Sequence, residues 1–109
     1  MTKTELFHQD LQTTALVFKV LGHPARLSIL KYLAETSVCI SGDISRELPL
    51  SRTTVNQHLK VLKQIGLIKG EIEGVKVNYC LDAVQVDKLN NVINKYLDSI
   101  RTDDSFQKC

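Results

Sequence analysis

Residues 40–82 read I-S-G-D-I-S-R-E-L-P-L-S-R-T-T-V-N-Q-H-L-K-V-L-K-Q-I-G-L-I-K-G-E-I-E-G-V-K-V-N-Y-C-L-D, and the order of signals in this stretch decides the fold. A short helical signal runs into Leu48-Pro49, where the residue before proline leaves helical geometry. Ser51 then caps a new helix. Val55, Leu59 and Leu62, at i, i+4 and i+7, give that helix one buried stripe. Gly66 ends it. Leu67, Ile68 and Ile72 open a β-ribbon, and Val75, Val77 and Tyr79 alternate along its return, with Glu73-Gly74 between the two arms. Helix, tight turn, helix and ribbon in this order predict a winged helix-turn-helix, a mainly α chain with a small β-ribbon (α+β).

Apolar positions fall at helical spacing on both sides of this block. Leu6, Phe7, Leu11, Val17, Phe18 and Leu21 predict a first helix over residues 4–21, which Gly22-His23-Pro24 breaks. Pro24 suits the first position of a second helix, and Leu27, Ile29, Leu30 and Leu33 carry it to residue 35. Residues 38–40 form a short extended run. Ser41 and Asp43 suit the cap and first turn of a third helix. The helix after Ser51 is thus the fourth. Asp82 and Gln85 form a capping-box pattern for the fifth. That last helix carries Val86, Leu89, Val92, Ile93, Tyr96, Leu97 and Ile100, more than one stripe can hold. Such a helix packs on its own core and on a neighbour, so the first and fifth helices are the expected dimer surface.

A chain of 109 residues is one domain by length, and a domain of that size gains from burying more surface in a homodimer. Residues 1–101 are expected to form the DNA-binding and dimerisation domain, and residues 102–109 a flexible polar tail. No apolar run reaches the ~20 residues that cross a bilayer. The N-terminal residues lack a signal-peptide pattern, so a cytoplasmic location is expected. Three cysteines, an odd number without framework spacing, argue against structural disulfides and fit a reducing compartment.

The formal charge of +2 says little, but its placement says more. Residues 51–70 hold Arg52, Lys60, Lys63 and Lys69 and no acid, while Asp43, Glu47, Glu71, Glu73, Asp82 and Asp87 lie on the flanks. A cationic helix in a nearly balanced chain is a footprint for phosphate. The residue types suit double-stranded DNA. Ser51, Thr53 and Thr54 can hold phosphate oxygens at a helix N-terminus. Arg52 can reach guanine O6/N7 or a phosphate, and Asn56 and Gln57 can each pair with adenine N6/N7. Lys60 and Lys63 supply charge, and Lys76 is the cation of the ribbon tip. His58, beside Leu59, reads as a packed or half-buried histidine. A winged-helix interaction module that does not read DNA is the competing reading; its sign would be an acidic or apolar fourth helix, and that sign is missing. Catalysis has no support. Ser51 and His58 stand about two turns, roughly 10 Å, apart along one helix, too far for a serine–histidine hydrogen bond.

Three ordered blocks give the chain a specific likeness. They are F-K-V-L-G-H-P-A-R-L-S-I-L-K-Y-L-A-E at residues 18–35, L-S-R-T-T-V-N-Q-H-L-K-V-L-K-Q-I-G-L-I at residues 50–68, and G-V-K-V-N-Y-C-L-D at residues 74–82. In these the chain resembles the ArsR family of metal- and stress-sensing repressors, over residues 15–82. The resemblance implies a homodimer joined through its first and last helices. It implies binding to an imperfect inverted repeat, repression, and release by an effector. No cofactor is implied. Family members often carry a Cys-x-Cys pair at the start of the third helix, where paired thiolates suit soft ions. That place reads Cys39-Ile40-Ser41 here, and a hydroxyl is a poor soft-metal ligand. Other members hold zinc on the last helix with aspartate and histidine. Asp87 stands there, but the three histidines are His8, His23 and His58, so no metal site is expected on that helix. Cys39 stands at the family's sensing position, and Cys80, near the end of the wing, and Cys109, at the terminus, are the other two candidate effector thiols. Either Cys39 joins Cys80 or Cys109 in a redox-sensitive pair or a metal site, or Cys39 and Cys80 are small buried hydrophobes.

Overall fold

The apolar spacings resolve into helices and a small sheet in the computed structural model, which describes residues 6–36, 39–41, 44–73 and 76–102. In chain order these are α1 (Gln9–Leu21), α2 (Pro24–Thr36), β1 (Ile40–Ser41), a 3-10 turn (Ser45–Glu47), α3 (Arg52–Gln64), β2 (Ile68–Glu73), β3 (Lys76–Leu81) and α4 (Ala83–Ser99). The sheet is antiparallel with order β1-β3-β2. This is a winged helix-turn-helix, with α3 in the reading position and the β2–β3 hairpin as the wing.

The core gathers one face from each element. Val17 and Val20 of α1, Ile29 and Leu33 of α2, and Val55, Leu59 and Leu62 of α3 are buried together. Ile44, Leu67, Ile68, Ile72, Tyr79 and Leu89 complete the cluster. The stripe predicted for α3 is therefore the stripe observed. Each such aliphatic side chain contributes ~1.5–3 kcal/mol by leaving water, which anchors α3 by its back.

Local chemistry fixes the ends of α3. Ser51 Oγ accepts from Thr54 N–H at 3.3 Å. At the other end Gly66 adopts φ 82°. Leu67 N–H then donates to the Leu62 carbonyl at 3.1 Å and Gly66 N–H to the Lys63 carbonyl at 2.9 Å. These are the two bonds of a Schellman stop, which needs a left-handed residue and so favours glycine.

Three expectations are corrected. The third helix does not begin at Ser41. Ile40 and Ser41 pair instead with Tyr79 and Asn78 as an edge strand, and the described helical part shrinks to the 3-10 turn Ser45–Glu47. Sheet pairing with a distant strand outweighs a weak local capping signal; Asp43 lies outside the described residues. The first helix starts at Gln9, not residue 4, because His8 Nδ1 accepts from Asp10 N–H at 3.1 Å and caps it there. Residues 1–5 lie outside the described part. The capping box at Asp82 is half formed. Asp82 Oδ1 accepts from Gln85 N–H at 3.2 Å, but the Gln85 amide turns away and donates to the Ile65 carbonyl at 3.1 Å. It thereby ties the start of α4 to the end of α3.

Val75 of the predicted ribbon and residues 103–109 of the predicted tail also lie outside the described residues.

Candidate nucleic-acid interface

At 100° per residue, α3 divides into two halves. Val55, His58, Leu59 and Leu62 are buried on one. Arg52, Thr53, Gln57, Lys60 and Lys63 are exposed on the other, with Asn56 and Thr54 half-buried at its margins. With its margins, the outward half so described carries three cations, four amides or hydroxyls and no carboxylate. Two of its members also have work inside the protein. The Ser51 hydroxyl caps the helix and donates to Thr54 Oγ1 at 3.0 Å, so these two serve the helix start, and Thr53 is the exposed hydroxyl of the first turn. Lys63 Nζ donates to the Gly70 carbonyl of β2, which ties the reading helix to the wing. Lys76 stands at the first position of β3, paired in register with Glu73 at the tip.

Gly70 makes that tie possible. Its φ is 129°, a region that suits glycine. A Cβ there would lie 2.0 Å from the Asn78 carbonyl oxygen and 2.8 Å from the Tyr79 Cα. The absent side chain lets the two wing strands close.

A second strut runs behind α3. Arg26 Nε donates to His58 Nδ1 at 3.1 Å, and Arg26 Nη1 donates to the Val20 carbonyl at 3.1 Å. One guanidinium thus joins the end of α1, the start of α2 and the buried side of α3. The His23 ring packs against His58 with centroids 4.3 Å apart. The bond from Arg26 requires a neutral His58 with Nδ1 unprotonated. Burial, the neighbouring His23 and the Arg26 charge all lower the His58 pKa from its usual 6.5. A group whose folded pKa is depressed binds protons more readily in the unfolded chain. Its contribution to stability is therefore complete above about pH 6.5 and declines as pH falls through that value toward the folded pKa. Urea titrations at pH 7.5 and pH 5.5 should show the lower midpoint at pH 5.5, and His58→Gln should shrink that difference. His58 was expected to be packed, and it is. Arg26 was missed: a lone arginine on a short helix carries no local sign that it will reach two other elements.

Of the alternatives open for the cysteines, the joining of Cys39 to Cys80 is the one observed, against the odd count and spacing that argued against a structural disulfide. Cys39 and Cys80 are bonded, with Cα atoms 4.4 Å apart. The reason is register: Ile40 pairs with Tyr79 in the antiparallel β1–β3 ladder, so the preceding Cys39 meets the following Cys80. The bond spans a sequence separation of 41, a loop whose closure restricts the unfolded chain by roughly 3–5 kcal/mol in the chain-entropy account. Cys109 lies outside the described residues.

On the far side, α1 and α4 leave a broad apolar face. Leu11, Leu16, Phe18, Leu97 and Ile100 are exposed there. Phe18 and Tyr96 pack edge-to-face at 5.9 Å across the two helices, so the pair present one continuous surface.

A buried-backed cationic helix tied to a β-hairpin defines a winged helix-turn-helix protein of the DNA-binding class. Comparison with known proteins names the family. The chain belongs to the arsR family of bacterial regulatory proteins, whose profile matches residues 23–69. It is similar to an HTH-type transcriptional regulator of Methanocaldococcus jannaschii, 42% identical over 67 residues, 61% of this chain and 74% of that one. It is also similar to a cadmium resistance transcriptional regulatory protein CadC homolog of Staphylococcus aureus, 34% identical over 88 residues, 80% of this chain and 72% of that one. The transcriptional repressor SdpR of Bacillus subtilis is 34% identical over 83 residues, 72% of this chain and 91% of that protein. The chain is accordingly a DNA-binding transcriptional regulator in a family of regulators rather than enzymes. No helix among the described residues is long and apolar enough to cross a membrane.

Proposed function

We propose that the protein is a homodimeric repressor that binds an imperfect inverted repeat in promoter DNA and leaves it in response to an effector. The observation that carries the reading is the outward half of α3, cationic and amide-bearing with no acid. Arg52, Asn56 and Gln57 reach base edges, while Thr53, Lys60 and Lys63 hold phosphates beside the first turn and along the groove. Ser51 and Thr54 present the helix N-terminus to the backbone. Lys76, at the wing, takes the adjacent groove. A non-reading interaction module has no comparable support, since it has no use for a surface that excludes acids.

The apolar α1–α4 face supports the dimer. Exposed large side chains on two adjoining helices are costly in water and gain by facing a second copy. A twofold pairing through this face would carry two α3 helices, and readers of inverted repeats space them about 34 Å, one turn of the duplex, apart. A relative named as a repressor supports the direction of control.

Fluorescence anisotropy with the chain's own upstream DNA, at low salt, tests the reading. Specific binding by a dimer is expected. Leu16, 51% exposed on α1, supplies the control: Leu16→Glu should yield a monomer by sedimentation and lower operator affinity at least about tenfold, because one half-site loses its linked partner. A wild-type chain that stays monomeric yet binds the repeat equally well would end the dimer proposal. Absence of binding to any upstream duplex would end the reading as a whole.

A further inference from the structure

The Cys39–Cys80 bond belongs to neither the reading helix nor the α1–α4 face. It joins the residue before β1 to β3, and so links the strand leading into the helix-turn-helix with the strand returning from the wing tip. β1 is only two residues long, so backbone pairing alone holds this edge weakly. The two residues differ in access: Cys39 is exposed and Cys80 half-buried. A regulator acting on chromosomal DNA meets the thiol-reducing pool of the cell interior, where protein disulfides are characteristically transient and redox-sensing.

We propose that Cys39 and Cys80 form a reversible redox brace that strengthens DNA binding when closed and weakens it when reduced. The inference rests on the DNA-binding reading above. Beside the core that the wing strands share with α3, two ties bear on the wing: the Lys63–Gly70 bond to α3 on the β2 side and this disulfide from β3 to the residue before β1. With both in place, the wing and α3 are pre-set, and less ordering is left to be done on the duplex. Opening the disulfide leaves the β1 edge to two residues of backbone pairing.

The chemistry is a balanced exchange. A dithiol reductant supplies a thiolate that attacks the Sγ of the exposed Cys39, and Cys80 departs as a thiolate. The reductant's second thiolate then attacks its own sulfur in the mixed disulfide and releases Cys39. The reductant leaves as a disulfide, and both cysteines as thiols after protonation. In the reverse direction a peroxide accepts two electrons. The Cys39 thiolate attacks a peroxide oxygen to give a sulfenic acid with loss of water or an alcohol. The Cys80 thiolate then attacks that sulfur, closing the S–S bond with loss of a second water.

The experiment uses the full chain with Cys109→Ser, so that only this pair responds. Affinity for the upstream duplex is measured after hydrogen peroxide and after dithiothreitol, with thiols counted by alkylation and mass spectrometry. Hydrogen exchange at Ile40 and Ser41 is followed in parallel. Reduction should weaken binding about 5- to 10-fold, and peroxide should restore it. Cys39→Ser and Cys80→Ser should bind like the reduced form under both conditions, and exchange at β1 should speed up whenever the bond is open. Equal or tighter binding by the verified dithiol overturns the brace, as does unchanged β1 exchange. Binding by neither form strikes instead at the DNA-binding reading. The Cys109→Ser chain, reduced and reoxidised, alone decides the matter should a Cys39 or Cys80 variant fold poorly.

Discussion

Gly70→Ala should destabilise the protein by about 3–5 kcal/mol, by the combined cost of a left-handed backbone and an overfilled contact. The added Cβ would sit 2.0 Å from the Asn78 carbonyl oxygen, a backbone atom on the paired strand that cannot swing aside as a side chain would. Relief requires β2 and β3 to part at their Gly70–Tyr79 pair. Tyr79 is fully buried in the core, so the damage spreads from the wing to the packing behind α3. Lys63 also loses the carbonyl position it now reaches. Urea unfolding followed by circular dichroism measures the effect. Gly22→Ala makes a suitable comparison. Its Cβ would lie 3.0 Å from the Phe18 carbonyl oxygen, at a helix end where the backbone has room to adjust, and a smaller loss is expected. A loss under about 1 kcal/mol at Gly70 would show that the wing strands absorb a side chain there.

Gly70 also marks where sequence reasoning stops. A glycine inside a strand pattern signals close backbone approach only in general terms, and nothing near it says which carbonyl it must admit. What could be read was local. Val55, Leu59 and Leu62 declared their face through spacing alone, Pro24 its place at the first turn of α2, and Asp82 its cap. What could not be read was decided by partners far along the chain. Ser41 carries a helix-capping side chain but lies opposite Asn78, and that pairing settled its fate. Cys39 and Cys80 have no motif between them; they meet because β3 lies between β1 and β2. The Gln85 amide had a backbone target three residues away and chose the Ile65 carbonyl instead. The outward half of α3 was evident from the sequence because its signal is the absence of acids over a local stretch. The two struts behind and beside that helix, Arg26–His58 and Lys63–Gly70, were not.

Arg52→Ala should then cost about 1–3 kcal/mol of operator affinity per subunit, and about 2–6 kcal/mol in a symmetric dimer that uses the residue twice. Arg52 is exposed in the first turn of α3 and clear of the packed face, so stability should stay near wild type, and the loss can be assigned to recognition. Arg52→Lys separates two roles. Lysine keeps the charge but lacks the planar fork that pairs with both O6 and N7 of guanine. A base-reading Arg52 predicts that the lysine variant recovers little affinity and discriminates less well against operators altered at one base pair. A phosphate-holding Arg52 predicts near-full recovery and unchanged discrimination. Lys60→Ala calibrates the second outcome: it should weaken binding to every duplex alike and flatten the dependence of log affinity on log salt by about 0.9 per subunit. Anisotropy titrations over a salt series, with the upstream duplex and single-base variants of it, distinguish these results. If Arg52→Ala and Arg52→Lys both bind like wild type at every salt concentration, the first turn of α3 does not enter the groove, and the placement of this helix on DNA proposed above is wrong.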